Sequence, residues 1–411
     1  MLDKIEMHIP VDYSLLDVSS DGNYSIFGFD LLQLGLKVGS YDVYLSDDGK
    51  VKHDSLSVAW DRIPTSHTKM AFKFVHEGKQ MPHVVLKASP AKILQGHNVY
   101  GTDWIEEGAL EMLGYLQEAH PTLYSMLAVQ NTVVKQLDAT YSARLKDNIQ
   151  VEKALDFLRN VSSKHIRKSN RSAQYKNTFY WGSERAKWYL RKVYGKANEF
   201  VTQLEEQQKL AKANDPNAKR VVEVMSCPKL QSWVRGLLRF ETGIKYAVMQ
   251  RDGIPTNLWD LIHYQRQNPD FLQKQWFKAN EEIFKALEGT QMKALDHDSI
   301  YENLCNTFKT ITPTGKVRYT KARNLFNFYC ALETHGCDVM KKQYSETRFY
   351  SNMADLISAG YSKAYLQNLH TDSKNNVIPF LKLVEINFNE QLPPDFVEPK
   401  STFHTKHLRI A

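Results

Sequence analysis

The chain changes character at Arg251-Asp-Gly-Ile-Pro255, and that change limits the folds open to it. Before this point, short alternating or β-branched runs are broken by Asp21-Gly22, Gly39-Ser40 and Asp48-Gly49, which predicts strands joined by tight turns. Met70 to Val75, His83 to Lys87 and Val133 to Ala143 read as further strands, and Arg239 to Lys245 alternates polar with apolar. Helical spacing appears at Ile105, Ala109, Leu113 and Leu116, and again at Val151, Leu155 and Leu158. Pro228 suits the first turn of another helix, with Leu230, Trp233, Val234 and Leu237 as its buried stripe. Strands and helices mixed without a βαβ rhythm or a Gly-rich phosphate loop define an α+β domain over residues 1–250.

Beyond that point the pattern is almost wholly helical. It divides into a connector over 251–291 and a C-terminal helical domain over 292–411, with the polar stretch Glu288 to Asp298 as the link. In that last domain Ala322, Leu325, Phe326 and Tyr329 share a helix face, and Gly336 suits a stop. Two more helices flank Ala359-Gly360-Tyr361-Ser362, as a helix-turn-helix or as an ordinary hairpin.

Charge is concentrated in one place. From Lys164 to Lys196 ten Lys or Arg face a single acid, Glu184, whereas the whole chain of 411 residues carries only +7. The rest is therefore near neutral, as expected when a cationic segment is a contact surface for nucleic acid. Lys164, Arg167, Lys168, Arg171, Arg185, Lys187 and Arg191 are the expected DNA contacts. The four cysteines lack a Cys-x-x-Cys pair, which argues against a disulfide framework or a structural zinc site and fits a reducing cytoplasm. The N-terminus carries no apolar signal core, and no run reaches the length of a membrane span.

Tyr180, Tyr189 and Tyr194 sit within the basic window. A phenol among cations suits covalent chemistry on a phosphodiester, because transesterification to a side chain keeps the bond energy that hydrolysis discards. If Trp188 to Lys196 is a strand, Trp188, Leu190, Lys192, Tyr194 and Lys196 share a face, so two ammonium groups flank Tyr194 and favour its phenolate. The competing reading is a tyrosine that fills a half-buried sheet face. Metal ligands are harder to read. Asp138 is a lone acid in a β-prone run, Glu241 shares a face with Arg239, and His97 lies in a turn. Each is a candidate ligand for Mg²⁺ or Mn²⁺, and each has a plain alternative as an ion-pair partner or a solvated side chain.

The run Lys87-Ala-Ser-Pro-Ala-Lys-Ile-Leu-Gln-Gly-His-Asn-Val-Tyr-Gly101 closely resembles the gene II replication initiators of filamentous bacteriophages. Leu137-Asp-Ala-Thr-Tyr-Ser-Ala-Arg144, Phe157-Leu-Arg-Asn-Val-Ser162, Leu238-Arg-Phe-Glu241, Ile311-Thr-Pro-Thr-Gly-Lys316 and Pro379 to Val384 extend the likeness in the family's order. The resemblance implies an antiparallel-sheet rolling-circle endonuclease domain followed by a helical C-terminal domain. It implies a metal-dependent nicking-closing enzyme that cuts the viral strand at the origin of supercoiled double-stranded phage DNA. Tyrosine is then linked to the 5′ end, and the displaced strand is recircularised. Tyr194, in Val193-Tyr-Gly-Lys196, matches the family's nucleophile, with Lys192 and Lys196 as its cations and Glu199 as a further metal candidate. Implied partners are a host helicase, a DNA polymerase and single-strand-binding protein in the bacterial cytoplasm, with self-association at the origin left open. A shorter product starting at Met292, the gene X protein, is implied as well.

The chain also departs from related enzymes. It has no His-x-His pair, the usual metal clasp of rolling-circle enzymes, and Val85 stands where relatives can carry an acid, with His83 on the same strand face. Two other readings compete. A non-enzymatic DNA-binding protein would hold DNA without nicking it. A tyrosine recombinase would use His263-Tyr-Gln-Arg266 and the downstream Tyr301, and would link to a 3′ phosphate.

Overall fold

In the computed structural model, residues 1–28, 30, 34–36, 40–45, 51–161, 177–182, 186–287, 297–313, 315–372 and 386–403 are described. Lys164, Arg167, Lys168, Arg171, Arg185 and Met292 lie outside these residues, as do the Asp48-Gly49 turn and most of the expected link.

Eight strands build one sheet: β1 (Leu2–Pro10), β2 (Asp61–Pro64), β3 (Lys69–Val75), β4 (His83–Ala88), β5 (Val133–Arg144), β6 (Thr178–Trp181), β7 (Tyr189–Gly195) and β8 (Leu237–Lys245). Their order across the sheet is β6-β7-β8-β5-β1-β4-β3-β2, and every pairing is antiparallel. The α+β, antiparallel architecture read from the sequence is the one observed. Side chains alternate between faces along each strand. Ile5, Met7 and Ile9 on β1, Leu137, Ala139 and Tyr141 on β5, and Phe240 on β8 therefore enter one apolar core. Lys4, Glu6, Asp138, Glu241 and Lys192 fall on the opposite, polar face.

An apolar sheet face must be covered. Helix Glu106–Ala119 and helices Leu258–Gln267 and Phe271–Leu287 supply much of the cover. Trp276 is fully buried there and donates its indole N–H to the Phe240 carbonyl at 3.1 Å. The segment expected to be a connector thus shares the sheet's core. On the polar face, at the Tyr194 end, helices Lys196–Lys212, Pro216–Met225 and Pro228–Trp233 form a smaller core with Val99 and Leu237. The Pro228 helix is shorter than its apolar stripe predicts. Gly236 adopts φ +70° with its backbone against the Leu145 carbonyl, which turns the chain so that Leu237 begins β8.

Helices from His297–Phe308 to Lys363–Asp372 enclose a separate core around Leu325, Phe328, Tyr329 and Leu356, and Gly336 ends helix Thr320–His335 as expected. Residues 386–403 leave that cluster and lie on the first domain as a strap. The Gln391 amide bonds both the N–H and the carbonyl of Ser142, on β5, at 2.8 and 3.0 Å. Further on, the Ser401 and Thr402 N–H groups donate to the buried carboxylates Glu107 and Glu111, at 2.7 and 2.8 Å. No helix among the described residues is long and apolar enough to cross a membrane.

Candidate active site

Sheet register assembles the polar face. Tyr194 on β7 stands opposite Arg239 on β8, Lys192 opposite Glu241, Thr140 on β5 opposite Glu241, and Asp138 between Gly243 and Lys4. Gly243 is bare for a reason: a Cβ there would sit 2.9 Å from the Gln136 amide nitrogen and 3.0 Å from an Asp138 oxygen. The Tyr194 hydroxyl donates to Glu241 Oε2 at 3.3 Å, and Lys192 Nζ holds Glu241 Oε1 at 2.8 Å. Arg239, fully buried, donates to the carbonyls of Asn98 and Val99 and stands opposite Tyr194 across the two strands.

These neighbours set the protonation states. Burial pushes the Tyr194 phenol well above its ordinary value, Arg239 and Lys192 pull it down, and Glu241 and Asp3 add to the rise. The expectation that neighbouring cations favour a phenolate is therefore corrected: Tyr194 is only 7% exposed and desolvation dominates. Burial also raises Glu241, against the pull of Lys192, and Asp3 and Asp138 raise it further, to about 7. A carboxyl that titrates near neutrality and accepts from a phenol has the properties of a general base.

Lys196 stays on the polar side with Tyr194 but bonds other partners there. β7 stops at Gly195, which caps the next helix, so Lys196 turns inward, fully buried, onto Asn98 Oδ1 at 2.8 Å and onto Glu199. Burial and Arg239 lower Lys196 to about 7, although Glu199 raises it. Asn98 in turn donates to Asp3 at 2.8 Å, so the Lys87 to Gly101 run reaches the site through its loop, with residue 98 at the centre.

Among the described residues, no three of His, Cys, Asp and Glu are grouped to hold one metal ion. Asp138 bonds Lys4 at 2.5 Å and the Gln136 amide at 2.6 Å, Glu241 bonds Lys192, and Glu199 bonds Lys196. His97 is buried, accepts the Val99 N–H at Nδ1, and is lowered to about 3 by burial and by Lys196 and Arg239. As arranged, this donor set does not fit a shared ion, because each acid already has a cation. His83, at the other end of the sheet, stacks on His8 with 4.7 Å between ring centroids.

The remaining candidates separate by face. Tyr180 on β6 pairs with Lys192 and so shares the Tyr194 face, whereas Tyr189 enters the apolar core. Arg191 also faces the helices and donates to the Ala279 carbonyl at 2.5 Å, which removes it from the surface around Tyr194. Lys187 is exposed beside Trp188. The residues of the recombinase reading are engaged separately: Arg266 grips Glu106 at 2.7 Å and Tyr301 packs on Phe326. Sequence reasoning missed Asp3 and the part Asn98 plays. Asp3 offers no signal, being one of several charged residues that alternate with apolar ones in Met1-Leu-Asp-Lys-Ile-Glu6, but Asn98 lies inside the family-like run.

Residues 1–268 match the N-terminal family of the phage replication-associated protein, the gene 2 protein, and residues 311–402 match its C-terminal family. The class defined by this fold and site is thus that of phage replication-associated proteins. Relatives include the replication-associated protein of Salmonella phage IKe, 33% identical over 99% of both chains. Those of Enterobacteria phages fd and M13 are each 32% identical over 97% of this chain and 99% of theirs. The chain belongs to the family of replication-associated gene 2 proteins. No solved structure matches it.

Proposed function

We propose that the chain initiates rolling-circle replication by nicking one strand of origin DNA and later rejoining it, with Tyr194 as nucleophile and Glu241 as its base. The observation that carries this reading is the contact of the Tyr194 hydroxyl, at 3.3 Å, with a buried carboxyl that titrates near neutrality. In the forward step the Tyr194 oxygen bonds to phosphorus as the bond from phosphorus to the 3′ oxygen breaks. The phenol proton passes to Glu241, and the departing 3′ oxygen takes a proton from water. Arg239 and Lys192 offset the charge that gathers on the phosphate. Rejoining is the reverse attack by a 3′-OH, and Tyr180 is the second phenol available on the same face.

A second reading, DNA binding without cleavage, is favoured by the burial of Tyr194. Supercoiled origin plasmid with and without Mg²⁺ separates the two, since only the enzyme produces nicked circles and a protein-linked 5′ end. Tyr194→Phe should abolish both products and leave binding within about twofold, because only the attacking oxygen is removed. A Tyr194→Phe chain that still forms the adduct overturns the assignment. Omission of Mg²⁺ tests the metal dependence that the family resemblance implies.

A further inference from the structure

Behind the loop carrying His97 to Tyr100 lies a cleft of about 1020 Å³, large enough for a nucleotide or two. Three of its walls are aromatic. Tyr100 meets Trp233 at 6.1 Å and Phe396 at 5.8 Å, both nearly perpendicular, and rings that meet edge-on leave π-faces for a base to stack on. The Arg144 guanidinium lies 4.3 Å from the Trp233 ring centre, and Lys229 at the rim is 84% exposed. Lys229 pairs with Asp395 at 2.8 Å, an exposed contact that a phosphate can replace at little cost. The cleft is linked to the candidate site by Arg239, which stands opposite Tyr194 in the sheet and donates to the carbonyl of Val99, the neighbour of Tyr100.

The strap supplies the wall formed by Pro393 to Val397. It is pinned on either side of that wall, at Gln391 by Ser142 and at residues 400–402 by Glu107 and Glu111. Residues beyond the C-terminal helices are thus built into the first domain's surface.

We propose that this cleft binds unpaired bases of single-stranded DNA beside the strand to be cut, and that the strap's Phe396 is one of the stacking surfaces. The choice of ligand rests on the nicking reading. Aromatic walls with a guanidinium beside them suit stacked bases held by their phosphates.

Oligothymidylate titrated into the full chain, followed by tryptophan fluorescence and by anisotropy of a labelled strand, tests the proposal. Phe396→Ala and Trp233→Leu should each weaken binding about tenfold, with the melting temperature of the Phe396 variant unchanged and little effect on a duplex of equal length. If Trp233→Leu fails to fold, Phe396→Ala decides alone, because Phe396 sits on a strap outside the cores. Unchanged oligothymidylate affinity in a folded Phe396→Ala chain overturns the proposal, whether or not the plasmid is nicked. A wild-type chain that binds through the cleft yet never nicks sinks the enzyme reading and leaves the cleft standing.

Discussion

Glu241 ties stability and activity to the same proton. Its carboxyl titrates near 4.5 when unfolded and near 7 in the fold, so the folded state binds the proton more tightly. The stability this contributes is fully present below about 4.5 and gone above about 7, a loss on the order of 3 kcal/mol for a rise of this size. Cleavage has the opposite dependence, because only the carboxylate accepts the Tyr194 proton, and its rate should climb through pH 7. Glu241→Gln should flatten the stability profile between those limits and lower cleavage by at least a hundredfold. A rate that still rises with the same midpoint in that variant would assign the proton to another group. Asp138 sharpens the test. Its charge helps to raise Glu241, so Asp138→Asn should move the midpoint of the cleavage profile to lower pH and leave the enzyme active. Complete loss of Mg²⁺-dependent cleavage in a folded Asp138→Asn chain would show instead that Asp138 leaves Lys4 to bind metal.

At the scale of elements, the strap is held by a helix that is shaped to receive it. Gly114, within helix Glu106–Ala119, lies under Phe403, and a Cβ there would fall 2.1 Å from the ring. Gly114→Ala should gain up to about 1 kcal/mol of helix propensity and lose the roughly 2 kcal/mol from burying Phe403, a net loss of about 1 kcal/mol. Limited proteolysis should then cut within 386–403 faster than in the parent, with the sheet's amides equally protected; equal cutting would mean the ring relocates without releasing the strap. None of this was legible in the sequence, since contacts between residues 107–114 and 400–403 depend on the path of the whole chain. The strands were legible, because β1, β5 and β8 alternate or carry β-branched runs, and so was the Tyr194 to Lys192 face. The helix over Lys196–Lys212 was not. Its polar, Gln- and Glu-rich outer surface leaves few apolar positions, and that obscured where β7 ends and that Lys196 opens a helix and pairs with Asn98 and Glu199.

At the scale of the molecule, the C-terminal helices have their own core, around Leu325, Phe328, Leu332 and Leu356, and touch the first domain at a few points. One is Asn368, which donates to the Phe157 carbonyl at 3.1 Å and accepts from Asn160 at 2.7 Å. Another is Ala364, on the same helix, which is buried in the sheet domain's apolar core, but the C-terminal helices keep a core of their own and are expected to fold alone. The strap breaks that simple division, because it follows the helices in sequence yet its bonds run to Ser142, Glu107 and Glu111. Expressed by themselves, residues 292–411 should give a soluble, helical, cooperatively unfolding protein without nicking activity, in which residues 386–403 are cut rapidly by protease. The complementary piece, residues 1–291, should be less stable than the same residues in the full chain, for Glu107 and Glu111 would lose the hydrogen bonds of the strap's N–H groups, about 1.5–3 kcal/mol for a bond to a charged group. Adding residues 292–411 in trans should restore part of that stability and protect the strap from the protease. An aggregated helical fragment would show that its core needs the sheet domain. A strap equally protected in the isolated fragment would show that it has a second seat on the helices.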